Sequence, residues 1–491
     1  MLVSTLCLVP IFGIFFSLFR SFNFISHKFF KIFTFFLSCL NFFFCFYFIF
    51  FFNKNTGYFQ FIETFSWFSS FLNINFCLGI DGISLVLIFL TCFLIPICLL
   101  SSWDVINNKS YVLFINCIFL IEVLLILAFS VLDLFFFYVF FEIILLPMFL
   151  LIGIWGSRER KIKASYYLFI YTVFGSLFFL LSICFIFFSV GTTNYLFLLN
   201  CSFSPSMQKI LWLGFFFSFS VKVPMFPFHI WLPEAHVEAP TIGSMILAGL
   251  LLKLGTYAFI RFSIVLFPLG SLFFSPFLFM LCSFSIILAS FAAIRQSDLK
   301  RIIAYSSIAH MNLVVIGIFS LDINSLNGAV LQMISHGLVS CGLFASIGVL
   351  YHRYHSRLIN YYGGIAHLMP LFNFFFLILT LANISLPGTS SFIGEFLLFL
   401  GIFKLDFIVV LFSTFSLVLG GLYMLWLYNR LAFGNLKKYL YYFSDISLKE
   451  FSFLFIFCFF IILIGIKPDF IINFFNSSSF SITFYQVLKF I

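Results

Sequence analysis

The sequence predicts an all-α polytopic membrane protein with about 14 transmembrane helices, arranged as two inverted five-helix repeats that each contain a broken helix. Of its 491 residues, 63% are hydrophobic and only 8% are charged, whereas a soluble domain carries roughly 25% charged residues. The apolar residues form long runs separated by short polar stretches, and proline interrupts one run in each half of the chain. This composition excludes large soluble domains.

Each predicted span is an apolar run bounded by charged residues or by Gly, Pro or Asn. The spans cover residues 1–19, 32–52, 80–100, 111–130, 133–155, 165–189, 210–231, 241–260, 272–293, 301–319, 326–350, 370–403, 407–429 and 451–468. They group into N-terminal helices over 1–110, a first repeat over 111–260, a second repeat over 272–430, and a C-terminal helix and tail over 431–491. An odd number of helices in a repeat inverts the second copy. The first 75 and last 55 residues show only apolar spans.

Basic residues are distributed unevenly between the predicted loops. Only four of the 25 follow even-numbered spans, namely Lys54, Lys209, Arg261 and Lys404. Seventeen follow odd-numbered spans, among them Lys109, Lys300, Arg357 and Lys438. By the positive-inside rule, the loops after odd-numbered spans face the cytoplasm or matrix. The net charge of +9 therefore reflects topology and contact with anionic lipid headgroups, and we expect no nucleic-acid partner.

Seven ionisable residues are predicted to lie at membrane depth, away from the loops: Glu122, Glu142, Lys222, Lys253, His310, His336 and Glu395. Because a charge at mid-bilayer costs about 2.5–3.5 kcal/mol on the insertion scale, a functional role is the default interpretation. Buried Glu, Lys and His can take up and release protons near neutral pH, and a nearby carboxylate keeps a buried lysine protonated. A structural role stays open for Glu122, and a single interhelical hydrogen bond is the alternative for each histidine.

Two of these charges lie beside proline in an apolar run. Lys222 stands in SVKVPMFPFHIWLP with Pro224 and Pro227, and Glu395 is the penultimate residue of NISLPGTSSFIGEF, which contains Pro387. Proline lacks an N–H group and leaves helix carbonyls without donors, which is tolerable at membrane depth only in a protein interior or around water. Two broken helices, one in each half, are typical of inverted-repeat transporters that bind their substrate at the breaks.

Five long segments resemble a known family. They are LGIDGISLVLIFLTCFLIPICLLSSW (78–103), VLDLFFFYVFFEIILLPMFLLIGIWGSRERK (131–161), VKVPMFPFHIWLPEAHVEAPTIGSMILAGLLLKLGTY (221–257), LKRIIAYSSIAHMNLVVIGIF (299–319) and SLPGTSSFIGEFLLFLG (385–401). The chain is similar in these segments to the antiporter-like membrane-arm subunits of NADH:ubiquinone oxidoreductase, respiratory complex I. The resemblance implies proton translocation driven by electron transfer from NADH to quinone.

The resemblance also assigns roles to individual residues. It implies that Glu142 pairs with Lys222, that Lys253 connects through His310 and His336, and that Glu395 leads to the exit. The roles that it implies for Glu122 and Asp133 are less settled.

The resemblance further places the cofactors and partners outside this chain. It implies no redox centre here, because NAD, FMN, iron–sulfur clusters and ubiquinone belong to partner subunits. The partners it implies are other membrane-arm subunits, including neighbouring antiporter-like chains, and lipids such as cardiolipin. Phe supplies 87 of the 491 residues, which points to a T-rich organellar genome, so we expect the mitochondrial inner membrane rather than a bacterial one.

Three other functions remain open from the sequence. A subunit of a multi-subunit cation/proton antiporter would share the Glu/Lys core, although LGIDGIS and GIWGSRERK favour the respiratory subunit. A membrane haem protein could use His310 and His336 as axial ligands. A structural scaffold within a larger assembly would need none of the buried charges.

Overall fold

The computed structural model describes residues 2–21, 26–66, 75–103, 110–437, 440 and 444–490. Within these ranges the chain is mainly helical, and eleven helices are long and apolar enough to cross a membrane. Two shorter apolar helices, Pro370–Asn383 and Ser390–Phe403, lie within one predicted span. The all-α membrane class is therefore confirmed, while the count of 14 spans stays a prediction. The predicted loop residues Lys109 and Lys438 lie outside the described ranges.

The α-helices follow the predicted apolar runs closely. In chain order they are α1 Leu2–Ser21, α2 His27–Phe51, α3 Gly82–Ser101, α4 Tyr111–Ser130, α5 Leu134–Ile143, α6 Leu145–Trp155, α7 Lys161–Val190, α8 Tyr195–Leu199, α9 Pro205–Lys222, α10 Trp231–Glu238, α11 Thr241–Ile246, α12 Leu252–Ala258, α13 Pro268–Arg295, α14 Leu299–Phe319, α15 Ile323–Tyr354, α16 Ile365–Leu368, α17 Pro370–Asn383, α18 Ser390–Phe403, α19 Phe407–Ala432, α20 Leu448–Ile466 and α21 Asp469–Phe490. The π-helical turns Leu247–Leu251 and Phe259–Ile264 follow α11 and α12, and a 3₁₀ turn covers Ile359–Tyr361.

The chain forms two compact units that do not follow chain order. The first comprises Met1–Lys222, Lys253–Phe274 and Asn473–Ile491, and the second comprises Val223–Leu252 and Ser275–Ile472. The predicted repeats, 111–260 and 272–430, are contiguous in sequence and stay a prediction. The units differ from them because the segment after the first helix break packs with the second unit.

A β-hairpin in the first unit was not predicted. Strands β1 Gln60–Ser66 and β2 Asn75–Ile80 pair antiparallel, with Thr64 opposite Cys77. The strand sequences, QFIETFS and NFCLGI, lack the regular apolar/polar alternation that predicts a strand, and the pairing register shifts between Gln60 and Glu63. The predicted C-terminal tail is also mostly helical, as α21. Its Ser478 hydroxyl accepts the Gly82 N–H at the start of α3, at 3.0 Å, so α21 supplies one of the caps that a helix N-terminus needs.

Both predicted helix breaks are present. The first separates α9, which ends at Lys222, from α10, which begins at Trp231. Within the second unit, the Asn312 amide donates to the Pro224 carbonyl at 3.4 Å, and the Phe226 N–H donates to the Ser285 hydroxyl at 3.0 Å. Side chains thus replace the helical partners that this backbone has lost.

The second break separates α17 from α18. Ser385 and Gly388 adopt positive φ values of 63° and 94°, a conformation that only glycine adopts without cost. The Ser391 hydroxyl donates to the Ala382 carbonyl near the end of α17.

A third interruption, which was not predicted, separates α5 from α6 at Ile144. It lies three residues before Pro147, and proline lacks the N–H group that would continue the helix.

Helices α15 and α18 pack with their backbones in close approach. A Cβ atom on Gly328 would lie 2.7 Å from the Leu398 nitrogen and 2.9 Å from the Gly394 carbonyl oxygen. Small residues at helix crossings permit this closeness in membrane proteins. The packing sets the distance between side chains on α15 and those on α18.

We expect Gly328→Ala to destabilise the second unit by about 1–3 kcal/mol, because the added methyl group meets backbone atoms that cannot rotate away. The temperature at which buried cysteines such as Cys341 react with a thiol-specific dye measures this loss. Gly420→Ala is the matched control, since its nearest neighbour would be the Tyr423 hydroxyl at 3.8 Å. Equal reactivity temperatures for the two variants would contradict the proposed close packing.

Candidate functional site

The predicted site residues lie in two sets, one in each unit. Glu142, Lys222 and Lys253 belong to the first unit, and the second contains His310, His336 and Glu395. Each set lies at or near an interruption in a helix. The two sets are described separately below.

Lys222 is the last residue of α9 and is buried. Its Nζ donates to the Phe141 carbonyl at 3.2 Å and lies 4.2 Å from the centre of the Phe141 ring. In an unbroken helix the Leu145 N–H would donate to that carbonyl, but α5 ends at Ile143. The interruption between α5 and α6 therefore leaves an acceptor available to a lysine ammonium.

Glu142 follows Phe141 and is half-buried. Its carboxylate interacts electrostatically with Lys222 and lies within reach of the Ser176 hydroxyl. Its Oε1 atom is buried without a hydrogen-bond partner among the described residues. The pairing of Glu142 with Lys222 that the family resemblance implies stays a prediction, and the hydrogen bond of the Lys222 ammonium goes to the Phe141 carbonyl. The two charges are neighbours, so a small side-chain movement would change their interaction.

Lys253 is fully buried on α12. Its helix is preceded and followed by the π-helical turns Leu247–Leu251 and Phe259–Ile264. In a π-helical turn the hydrogen bonds shift by one residue, and such turns are frequent at functional sites. The sequence predicted a regular helix ending at 260, so these turns are a difference from the prediction.

Glu395 and His310 form the centre of the second set. The Glu395 Oε1 atom lies 3.0 Å from His310 Nδ1 and accepts a hydrogen bond from the Gln332 amide at 3.0 Å. The Ser335 hydroxyl donates to the Gln332 Oε1 atom at 2.9 Å. The His336 ring centre is 5.8 Å from that of His310. Three helices, α14, α15 and α18, thus bring together a carboxylate, two imidazoles and an amide.

Several buried polar atoms near the second break have no hydrogen-bond partner among the described residues. They are His310 Nε2, Glu395 Oε2, Asn383 Nδ2, Ser385 Oγ and Ser390 Oγ. Because a buried polar atom without a partner is costly, such a cluster favours a site that exchanges protons with water. In this cluster one nitrogen of His310 contacts Glu395, and the His310 and His336 rings are inclined by 52°.

Glu122 and Asp133 have local structural partners. The Asn41 amide donates to Glu122 Oε1 at 2.6 Å. The Asp133 carboxylate accepts the Phe135 N–H at 2.9 Å and the Thr193 hydroxyl at 2.8 Å, and so caps α5. These contacts support the structural alternative for Glu122 that the sequence left open.

The sequence-based assignment of Arg261 to a loop is wrong. Arg261 lies in the π-helical turn after α12, where it forms a buried ion pair with Asp81. Its Nε donates to the Tyr257 hydroxyl at 3.2 Å, and its guanidinium lies 4.8 Å from the centre of the Phe59 ring. Asp81 in LGIDGIS was the available signal, because an acid at the start of an apolar run needs a partner.

Lys300 was also assigned to a loop but is the second residue of α14, whereas Arg357 lies in the predicted loop after α15; both side chains are buried. In the second unit, Lys300 Nζ donates to the Ala239 carbonyl at 2.7 Å, and the Arg357 guanidinium donates to the Val237 carbonyl. These carbonyls lie at the end of α10, where helical donors are missing and the helix dipole favours a cation. The positive charge of a residue in the sequence therefore does not show whether its side chain faces solvent in a loop or caps the end of a helix.

The central part of the chain matches the model of a known protein family. Residues 131–412 match the family model described as NADH:quinone oxidoreductase/Mrp antiporter, TM. The NADH-ubiquinone oxidoreductase chain 4 of Chondrus crispus is 50% identical over 457 residues, which cover 92% of this chain and 92% of that protein.

Solved structures show the same fold. A chain of respiratory complex I from Thermus thermophilus with bound NADH is similar with a TM-score of 0.89 and 26% identity, covering 99% of both chains. A chain of the Mrp complex from Dietzia sp. DQ12-45-1b is similar with a TM-score of 0.86 and 15% identity, also covering 99% of both chains.

We expect Asp81→Asn to destabilise the first unit by about 3–5 kcal/mol, because it leaves the buried Arg261 charge without its counterion. Lys404→Met is the control. It breaks the Lys404–Asp322 pair, whose lysine is 54% exposed, and such pairs contribute roughly 0–1 kcal/mol. Thermal unfolding in detergent, followed by cysteine reactivity, measures both. If Asp81→Asn were as mild as Lys404→Met, the Asp81–Arg261 pair would not stabilise the fold.

Proposed function

Since this chain belongs to the NADH:quinone oxidoreductase/Mrp antiporter family and matches NADH-ubiquinone oxidoreductase chain 4 at half of the aligned positions, we propose that it is a proton-translocating membrane subunit of NADH:ubiquinone oxidoreductase. It is a multi-pass membrane protein. The observation that carries the proposal is the placement of buried Glu, Lys and His side chains at or near helix interruptions. Such groups need a functional reason at membrane depth.

In the first unit, Glu142 and Lys222 act as a charge switch. An ionised Glu142 stabilises the Lys222 ammonium, and movement of the carboxylate away removes that stabilisation. Among the described residues, the Phe141 carbonyl is then the hydrogen-bond acceptor that the ammonium keeps, so Lys222 can release a proton. Lys253 is the next carrier in this unit, because an amine can exist in both protonation states.

In the second unit, His310 and Glu395 pass the proton toward the second helix break. The His310 ring lies between Glu395, which contacts its Nδ1, and His336, whose ring centre is 5.8 Å away. A histidine can take a proton on one nitrogen and release one from the other. The unpartnered polar atoms of Asn383, Ser385 and Ser390 supply hydrogen-bonding positions for water at the exit.

The redox chemistry belongs to partner subunits in this proposal. NAD, FMN, iron–sulfur clusters and ubiquinone bind elsewhere in the complex, and this chain takes part in the enzyme as its proton pathway. Neighbouring antiporter-like subunits and anionic lipids such as cardiolipin are the expected contacts. Because the match is to NADH-ubiquinone oxidoreductase chain 4, the mitochondrial inner membrane is the proposed location.

A cation/proton antiporter subunit is the second candidate. The similarity to a chain of the Mrp complex, at 15% identity, supports a common fold only. Copurification separates the two candidates. In our proposal the native chain purifies with an assembly that oxidises NADH and reduces quinone. Purification with cation/proton exchange activity and without NADH oxidation would favour the antiporter.

We expect Glu142→Gln to lower coupled NADH:quinone turnover at least roughly tenfold, because it removes the charge that sets the protonation of Lys222. Glu142→Asp keeps the charge with a shorter reach and should be milder. The measurement is turnover and proton uptake per assembled complex in sealed vesicles. Glu122→Gln is the control at another buried carboxylate and should stay close to the unmodified complex. Full pumping by Glu142→Gln would contradict the switch.

We expect proton transfer to require a side chain at position 253 that can both bind and release a proton. Lys253→Met removes the amine at similar length, and we expect it to abolish proton transfer through the chain. Lys253→Arg should not restore transfer, because a guanidinium keeps its proton at any working pH. Proton translocation per NADH oxidised is the readout. Normal pumping by the arginine variant would show that a fixed charge is sufficient at this position.

A further inference from the structure

Gln332 is a buried amide that the sequence analysis did not single out. It lies on α15, one turn before His336, and is only 1% exposed. Its Nε2 donates to Glu395 Oε1 at 3.0 Å, and its Oε1 accepts from the Ser335 hydroxyl at 2.9 Å. A buried amide in a membrane protein needs both of its ends satisfied, and these two contacts involve both ends.

The orientation of this amide is fixed by its partners. Because a carboxylate only accepts hydrogen bonds, the NH₂ end of Gln332 must face an ionised Glu395. The Ser335 hydroxyl then donates to the opposite end, the Oε1 atom, at 2.9 Å. The close approach of α18 completes the arrangement, since a Cβ on Gly394 would lie 2.6 Å from Gln332 Oε1.

The position of Glu395 in turn decides the tautomer of His310. Glu395 Oε1 contacts His310 Nδ1 at 3.0 Å, so an ionised Glu395 requires the hydrogen to be on Nδ1. In the neutral ring, Nε2 then carries the lone pair. Nε2 is buried and has no hydrogen-bond partner among the described residues, which leaves it available to accept a proton.

We infer that Gln332 is a positioning residue for proton transfer: it holds Glu395 Oε1 against His310 Nδ1, so that His310 accepts its proton at Nε2. This inference rests on the proposed function. Among the described residues, His310 on α14 contacts Glu395, Tyr423 on α19 interacts with it electrostatically, and His336 on α15 lies beside His310. Gln332 cannot titrate, so it holds Glu395 without competing for the proton.

The first test replaces the amide without changing the length of the side chain. Gln332→Met removes the donor, and we expect proton translocation per assembled complex to fall roughly tenfold, as is typical when a charged group loses a hydrogen bond. Gln208→Met is the matched control, because Gln208 is also buried and bonds the Phe203 carbonyl at 2.9 Å and the Leu269 N–H at 3.0 Å, away from the titratable groups. Normal translocation by Gln332→Met would overturn the inference.

The second test uses a group whose donor depends on pH. In Gln332→Glu, the introduced carboxyl group can donate to Glu395 only while it holds a proton. Translocation should therefore be retained at low pH and lost as the pH rises, whereas Gln332→Met should be low at every pH. A Gln332→Glu profile parallel to that of the unmodified complex would contradict the positioning role.

A third variant separates this inference from the proposed function. Glu395→Gln removes the carboxylate itself and should stop translocation through the second unit. If Glu395→Gln pumped normally, the proposed function of this set would fail. If Glu395→Gln were inactive while Gln332→Met pumped normally, only the role of Gln332 would be wrong.

Discussion

The need to partner every polar group at membrane depth shapes both sets of functional residues. Where a helix is interrupted, backbone carbonyls lose their donors, and side chains must replace them. Lys222 bonds the Phe141 carbonyl beside one interruption, and Asn312 bonds the Pro224 carbonyl at another. An interruption therefore provides polar contacts for a charge, and the charge helps to satisfy the interrupted backbone. This mutual dependence explains why Lys222 lies beside interrupted backbone.

The two units use this constraint for different chemistry. The first set of site residues contains a carboxylate and two lysines, so its charge state depends on how near Glu142 lies to Lys222. The second contains two imidazoles and a carboxylate, and a neutral amide on Gln332 fixes their geometry. A switch needs freedom to move, whereas a relay needs fixed distances. The glycine packing between α15 and α18 suits the second requirement.

The sequence predicted the helical class, the two proline breaks and the ionisable residues, because each leaves a local signal: an apolar run, a proline or an isolated charge. It did not predict the partners of Arg261, Lys300 and Arg357, since a basic residue near the end of a run looks the same whether it faces solvent or caps a helix. Gln332 was missed because an uncharged amide costs less to bury and does not stand out. The β-hairpin was missed because its strands, QFIETFS and NFCLGI, do not alternate regularly between apolar and polar residues.

Hydrogen–deuterium exchange of the assembled complex tests most directly whether helix interruptions give protons access to the buried charges. Our account predicts that amides in residues 223–230 and 384–389 exchange faster than mid-helix amides of α15, because water reaches the interrupted backbone. Exchange at both interruptions as slow as in the middle of α15 would contradict it, since the charges would then lie in dry protein with no route for protons.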